Sequence, residues 1–582
     1  KALTAGEIEV ATIDDKVRRM LRAMLSVGLF DETQDAGALD TPGHRALNRR
    51  AAGEGIVLLK NEYDLLPLHV WDTKRLARPK SEGRDRSEGK RPEAPGFGFQ
   101  PKIQSVALIG PNAAVLRAGG GGSSRVEPTY AVNLLSALQE RLGKGSTVNL
   151  VSGMLLEGDV VVAPADVLVP PAGHEGTKGL WAEYFANAQF SSEPAVQRLE
   201  DNVTLDRAKL PEGLGSAPFS VRWTGALRVH DKGKYVLTTI SNGNSRVYLD
   251  GRLVIDNASA NVSTPRGATV ELKSGQAHPL RVEYARSREG GGVMVLGLNP
   301  VQKTPFKQAA EAAAHAQVAI VCVGLSAALE SEGSDRASLT LPPGQDELVA
   351  AVAAANPRTI VIINSGAAVQ LGDWAERVPA IIQAWYPGQE GGHALTDILV
   401  GDVNPSGRLP TTFLRRWEDA PAHDNFPGAD GAVDYAEGIF VGYRYFDTKN
   451  IEVLFPFGHG LSYTNFSYRD LRITPKRMAR GQTIEASFVL RNSGLREGTE
   501  VVQLYVGARQ PRLPRPVKEL KGFQRISLKP NEEQTVRFTI DESVLKFYDP
   551  AAHAWVAEPG VFNLYVAASA KDVWLRGELT LE

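Results

Sequence analysis

Residues 318–324 read V-A-I-V-C-V-G, and residues 330–336 read E-S-E-G-S-D-R. The first is a continuous apolar run closed by glycine, the pattern of a parallel strand buried on both faces. In open α/β sheets the loop beyond the carboxyl end of such a strand is where ligands meet catalytic groups. Glu330, Glu332, Asp335 and Arg336 all stand in that loop. Carboxylates beside a cation suit acid–base chemistry, because crowding raises one carboxyl pKa while the cation holds another ionised. The same charges also suit a solvated acidic loop, and this stretch taken alone does not separate the two readings.

Working outward, helices and apolar strands alternate. A short strand at 106–109 is followed by G-P-N and by G-G-G-G-S-S at 119–124. Such a glycine run lets a ligand approach the backbone closely, but it has neither the Gly-Lys-Ser/Thr of a P-loop nor a dinucleotide fingerprint. An Ala-rich helix over 306–317, a helix through Ala355, and buried strands at 359–364 and 380–385 continue the pattern and predict a mainly parallel sheet. The composition differs between these two parts. Stretches at 219–223, 234–240, 246–250 and 253–255 alternate apolar and polar residues, with the tight-hairpin pair Asp250–Gly251 among them. A β-sandwich is therefore inserted into the α/β domain. After Asn465, strands at 484–490, 501–506, 535–540 and 561–566 predict a second sandwich, of immunoglobulin or fibronectin type. The expected fold class is multidomain α/β plus β.

Thr12 with Asp15 reads as a capping box, and Val17, Met20, Leu21, Met24 and Leu25 form the apolar stripe of a helix ending near Gly28. Residues 31–50 read as a polar connection, so this helix needs a partner on a distant domain or on one outside the chain. Residues 70–102 are rich in Arg, Lys, Glu, Gly and Pro, which predicts a mobile insertion. Its basic lean lacks the aromatic interleaving of a nucleic-acid surface. Lys plus Arg number 65 against 67 Asp plus Glu, so a net charge of −2 offers no global attraction to nucleic acid or an anionic membrane. No apolar run approaches the ~18 residues of a membrane span. The single cysteine, Cys322, lies inside the apolar strand and reads as a small core residue.

Several segments together resemble family 3 of the glycoside hydrolases, the β-glucosidase and β-xylosidase family. They are A-T-I-D-D-K-V-R-R-M-L-R with G-L-F-D, I-V-L-L-K-N-E with L-L-P-L, the strand with E-S-E-G-S-D-R, W-Y-P-G-Q-E-G-G with N-P-S-G-R-L-P, Y-A-E-G-I-F-V-G-Y-R-Y-F-D, and F-P-F-G-H-G-L-S-Y-T. E-V-V-Q-L-Y-V and K-E-L-K-G-F look like the family's fibronectin type III-like domain. V-R-W-T-G, Y-V-L-T-T-I-S-N-G and V-Y-L-D-G-R-L-V-I-D resemble the protective-antigen-type sandwich inserted in some members. The resemblance implies this division: 1–31, the last helix of a (β/α)8 barrel absent from the chain; 32–68, a linker; 69–103, the charged insertion; 104–170 and 302–425, the two parts of an α/β sandwich domain with a mainly parallel sheet; 171–301, the inserted sandwich; 426–466, a connecting segment; and 467–582, the fibronectin-like domain.

The resemblance further implies a retaining mechanism, in which one carboxylate attacks the anomeric carbon while another protonates the departing oxygen and later activates water. The Glu before Gly-x-Asp-Arg matches the family's acid/base group; here that is Glu332, with Glu330 as the alternate and Asp335 and Arg336 as neighbours that shape the loop or tune it. The family's nucleophile is an Asp, usually in Ser-Asp-Trp, on the barrel. Gly372–Asp373–Trp374 echoes that motif but follows a strand of the α/β domain, where a structural segment is expected. A barrel segment or separate chain is thus an expected partner, alongside an oligosaccharide or β-glycoside substrate; no nucleic acid or membrane partner is expected, and an oligomer is compatible. The inserted sandwich would border the aglycone side, bind sugar as a lectin, or act structurally. Calcium-dependent lectin members carry adjacent aspartates where this chain has S-N-G at 241–243, and no metal or cofactor is expected. His393 and His459 lack partners at ligand spacing and read as turn residues. A secreted or periplasmic place is favoured over the cytoplasm. The competing reading is a non-catalytic carbohydrate-binding or scaffolding polypeptide.

Overall fold

The computed structural model describes residues 3–31, 37–70, 102–124, 128–154, 162–174, 176–205, 210–211, 214, 218–241, 243–257, 264–286, 294–300, 305–327, 329–332, 335–336, 338–428 and 431–582. The charged insertion lies almost wholly outside them. Residues 1–48 cluster as one compact unit and residues 49–582 as another.

In the first unit, the helix Val10–Ser26 has no buried residue, and Val17, Met20, Leu21 and Leu25 of its apolar stripe are exposed. It ends as expected, with Gly28 at φ +70°. Its start differs from the expected capping box. Glu9 is the N-cap, Thr12 lies inside the first turn, and Asp15 pairs with Arg19 one turn on at 2.8 Å. The polar connection is also not structureless. The helix Pro42–Gly55 begins inside it and runs on past its end, opened by proline at its first position and by Thr41, whose hydroxyl accepts from His44 N at 3.2 Å. Its polarity hid it, because it presents no apolar stripe to read.

The α/β part is a six-stranded sheet in the order Val57–Asn61, Ala380–Gln383, Thr359–Asn364, Val318–Gly324, Ser105–Ile109, Thr147–Val151. All neighbours run parallel except the edge strand Val57–Asn61. Because strand side chains alternate, Ala319, Val321 and Val323 pack with Leu348, Val349 and Val352 of the helix Gln345–Ala355 and with Ala309 and Ala313 of the helix Pro305–Ala314. Val318, Ile320 and Cys322 pack on the opposite face with Leu134 and Leu138 of Leu134–Leu142 and with Ala394, Leu395 and Ile398 of Gly391–Val400. Cys322 is 1% exposed, and burial pushes its thiol pKa up to about 12, so it is an inert core residue.

Between Thr147–Val151 and Pro305–Ala314 lie two antiparallel sheets around a shared core that includes Trp223, Tyr284 and Leu237. Asp250 and Gly251 have φ of 50° and 76°, the double positive φ of a tight hairpin turn. These sheets reach further back than residue 171: Leu168 and Val169 already pair with Leu227 and Ala226. The C-terminal sandwich packs the three strands Phe466–Thr474, Ile484–Asn492 and Glu533–Ile540 on a five-stranded sheet. No helix among the described residues is long and apolar enough to cross a membrane.

A buried ion pair joins the C-terminal sandwich to the α/β part. Arg408 and Glu500, with side chains 9% and 7% exposed, meet at 2.6 Å. Gln503 adds hydrogen bonds to Gly458 O and Ala568 O at 3.1 and 2.8 Å. Removing one member of a buried pair strands the other, which costs about 3–5 kcal/mol. Arg408→Met should therefore destabilise the protein by about that amount, and adding Glu500→Leu should recover much of it. Denaturation midpoints of parent, single and double variants check this, and a single variant as stable as the parent would refute it.

Candidate active site

The strand Ser105–Ile109 pairs outward with Thr147–Val151, whereas Val318–Gly324 pairs in the other direction with Thr359–Asn364. The chain then leaves these two strands for helices on opposite faces, Leu134–Leu142 and Gln345–Ala355. This is the switch point of the sheet, where a crevice opens between diverging loops. The loops that meet there are the glycine run and the acidic segment.

The two pack directly on each other. Gly121 N donates to Glu330 O at 2.9 Å. A Cβ on Gly121 would lie 2.3 Å from Ala327 O, and one on Gly122, at φ +70°, would lie 2.6 Å from Glu332 Cβ. Gly121 and Gly122 are thus required by close approach of the chain's own acidic loop.

Glu332 is exposed, and its Oε2 accepts from Ser123 N at 2.9 Å. The Ser123 hydroxyl and its backbone N–H hold the carboxyl pKa below its usual value. Glu330 faces a different environment: its Oε2 accepts from Gly366 N at 2.6 Å and from Tyr386 O–H at 2.5 Å. Burial, followed by that hydrogen bond, raises the pKa of the Tyr386 phenol. Just before it, Trp385 holds φ +54°, a left-handed conformation costing a non-glycine residue on the order of 1 kcal/mol or more. Arg336 donates through Nη2 to Ala368 O at 3.0 Å, while Asp335 is exposed; Gly333 and Ser334 between the acids lie outside the described residues.

The structure therefore brings Glu330, Glu332 and Arg336 into one loop but gives each its own partner. Ser123, Gly366 and Tyr386 were not singled out from sequence. Tyr386 stands in W-Y-P-G-Q-E-G-G, and Ser123 ends the glycine run, so both motifs carried a signal without a role.

Of the other residues considered, Asp373 is exposed and Trp374 is a core residue, 1% exposed, whose Nε1–H donates to Asp346 at 2.6 Å. Burial raises the Asp346 carboxyl pKa. His459 makes a turn as expected, bonds through Nε2 to Leu59 O at 2.8 Å and stacks on Phe455; burial lowers its pKa. His393 is not in a turn. It lies in the helix Gly391–Val400, with Nδ1 2.6 Å from Glu390 and Nε2 3.3 Å from Glu140. No group of three or more potential metal ligands occurs among the described residues. Of 241–243, Asn242 lies outside them.

Comparison with known proteins matches residues 98–463 to the glycosyl hydrolase family 3 C-terminal domain and residues 500–570 to a fibronectin type III-like domain. The chain is 32% identical to probable beta-glucosidase K of Emericella nidulans, over 100% of this chain and 68% of that protein. It is also 32% identical to a beta-glucosidase of Rhizobium radiobacter, over 98% of this chain and 67% of that one. Among solved structures, the beta-glucosidase of Kluyveromyces marxianus in complex with glucose is similar with a TM-score of 0.76 at 29% identity, covering 100% of this chain and 69% of that one. A multidomain α/β and β architecture, an acidic loop at the sheet's switch point and these matches agree: the chain belongs to glycosyl hydrolase family 3 and is a glycoside hydrolase.

Proposed function

We propose that this chain supplies the general acid/base of a retaining β-glucosidase, with Glu332 in that role, acting on terminal β-linked glucose in oligosaccharides or small glycosides. The observation that carries the reading is the exposed Glu332 carboxylate at the switch-point crevice, in a loop held against the glycine run by Gly121 N and Ser123 N. The nucleophile is assigned to an Asp on a (β/α)8 barrel segment outside these residues. That assignment is supported by the family's pattern and by relatives of which about a third lies beyond the match, given coverage of 68% and 67%. The body with two antiparallel sheets is read as a protective-antigen-type insertion, supported by its alternating strands and its position inside the α/β domain.

Glu332 protonates the departing oxygen in the first step and takes a proton from water in the second, across a carboxylate separation of about 5–5.5 Å. The Ser123 contacts favour its ionised form, which suits the second step. For the first step, exclusion of water by substrate and the negative charge of the nucleophile both favour the protonated form.

Two outcomes follow for the protein joined to its barrel segment. Glu332→Ala should lower kcat/KM for glycosides with poor leaving groups by roughly 10²–10⁴-fold while sparing kcat/KM for activated aryl glycosides, whose departing oxygen needs no proton; kcat on the aryl glycosides falls, because water loses its base in the second step. Equal loss of kcat/KM on both substrates would remove Glu332 from the role. Ser123→Ala removes a group that lowers the Glu332 pKa, so that pKa rises. A general acid loses activity as pH climbs through its pKa, so the basic limb of the kcat/KM profile should move to higher pH. A limb that stays put or moves the other way contradicts the assignment.

A further inference from the structure

The loop bearing Glu332 is anchored two residues earlier, at a carboxylate with no role in the chemistry described above. Glu330 Oε2 accepts from Gly366 N, just beyond the strand Thr359–Asn364, and from Tyr386 O–H, just beyond Ala380–Gln383. Its backbone carbonyl accepts from Gly121 N, in the loop after Ser105–Ile109. Glu330 itself follows Val318–Gly324, so one residue ties together the loops after four neighbouring strands. Gly366 lies close against both, since a Cβ on it would stand 3.2 Å from Glu330 Oε2 and 3.1 Å from the Tyr386 ring. Tyr386 is aimed from behind by the left-handed Trp385, whose indole N–H is held by Gly55 O at 3.1 Å.

We propose that Glu330 and Tyr386 are positioning residues: their hydrogen bond, with that from Gly366 N, sets where the Glu332 carboxyl stands relative to the glycosidic oxygen. The inference rests on the reading of Glu332 as general acid/base and separates Glu330 from it. A carboxylate oxygen that takes two short, well-aimed donors is a strut, since it would have to release both to deliver a proton elsewhere. Two residues along a loop, a displacement of about 1 Å at Glu332 is enough to cost roughly 100-fold in rate.

The test compares Tyr386→Phe, Glu330→Gln, Glu332→Ala and the double variant Glu330→Gln/Glu332→Ala in the full enzyme, with an alkyl β-glucoside and an activated aryl β-glucoside. Tyr386→Phe, which keeps the ring in place, and Glu330→Gln should each lower kcat/KM on the alkyl glucoside by roughly 10- to 100-fold, with little loss of kcat/KM on the aryl glucoside; every loss in this comparison is read in kcat/KM. The double variant should be no slower than Glu332→Ala alone, because the strut acts only through the acid. Thermal midpoints of the Tyr386→Phe protein separate loss of position from loss of fold. If Glu332→Ala shows the leaving-group dependence but the other two lose both substrates equally, or if the double variant is additive, the positioning role is overturned and the acid assignment stands. If Glu332→Ala itself shows no such dependence, the acid assignment falls and the positioning role falls with it.

Discussion

Val318–Gly324 is out of water on every side, with each side chain from Val318 to Val323 at most 1% exposed. The remaining α/β architecture follows from that constraint. A strand with two apolar faces must be sandwiched between helical layers, and its backbone donors and acceptors must be taken up by strands on both sides. Val318, Ile320 and Cys322 recruit one pair of helices, and Ala319, Val321 and Val323 recruit the other. Neighbouring strands pair on both edges in parallel register. The chain can leave such a strand only at its carboxyl end, and it does so into the acidic loop.

Rigidity at that exit comes from backbone groups more than from charge pairs. Gly121 and Gly366 each donate a main-chain N–H to Glu330, and Ser123 donates one to Glu332. Backbone donors on loops anchored to buried strands lose little freedom on making such bonds, so they place the acidic side chains more firmly than surface ion pairs do. Glu330 and Glu332, two residues apart and chemically alike, thereby differ in environment: one is braced between two donors and the other is open to the crevice.

The C-terminal sandwich is joined to the α/β part and to the connecting segment by charge pairs in a drier setting. Arg408–Glu500 is buried at 2.6 Å, and Asp447, 3% exposed, is held between Lys518 and Lys571. Such pairs gain little net stability over apolar contacts, but they are costly to break singly and tolerate few alternative docking geometries.

Much of the architecture was legible in the residues. The two-faced apolar run, the Asp250–Gly251 turn and the alternation of the later strands each carry a local period that survives into the structure, because one period dictates which side chains are buried. Elements without such a period were missed. The helix Pro42–Gly55 presents no apolar stripe, Thr12 matched a capping pattern that the actual start at Val10 bypassed, and Leu168–Val169 is too short to show alternation. At the site, sequence alone placed Glu330 and Glu332 in one loop after the right strand. It took the tertiary structure to decide that Gly121 and Gly122 serve that loop, that Ser123 faces Glu332, and that Tyr386 and Gly366, dozens of residues away along the chain, converge on Glu330. Periodicity is a property of neighbours along the chain, whereas the partner of a carboxylate is chosen by which strand ends the sheet order brings together.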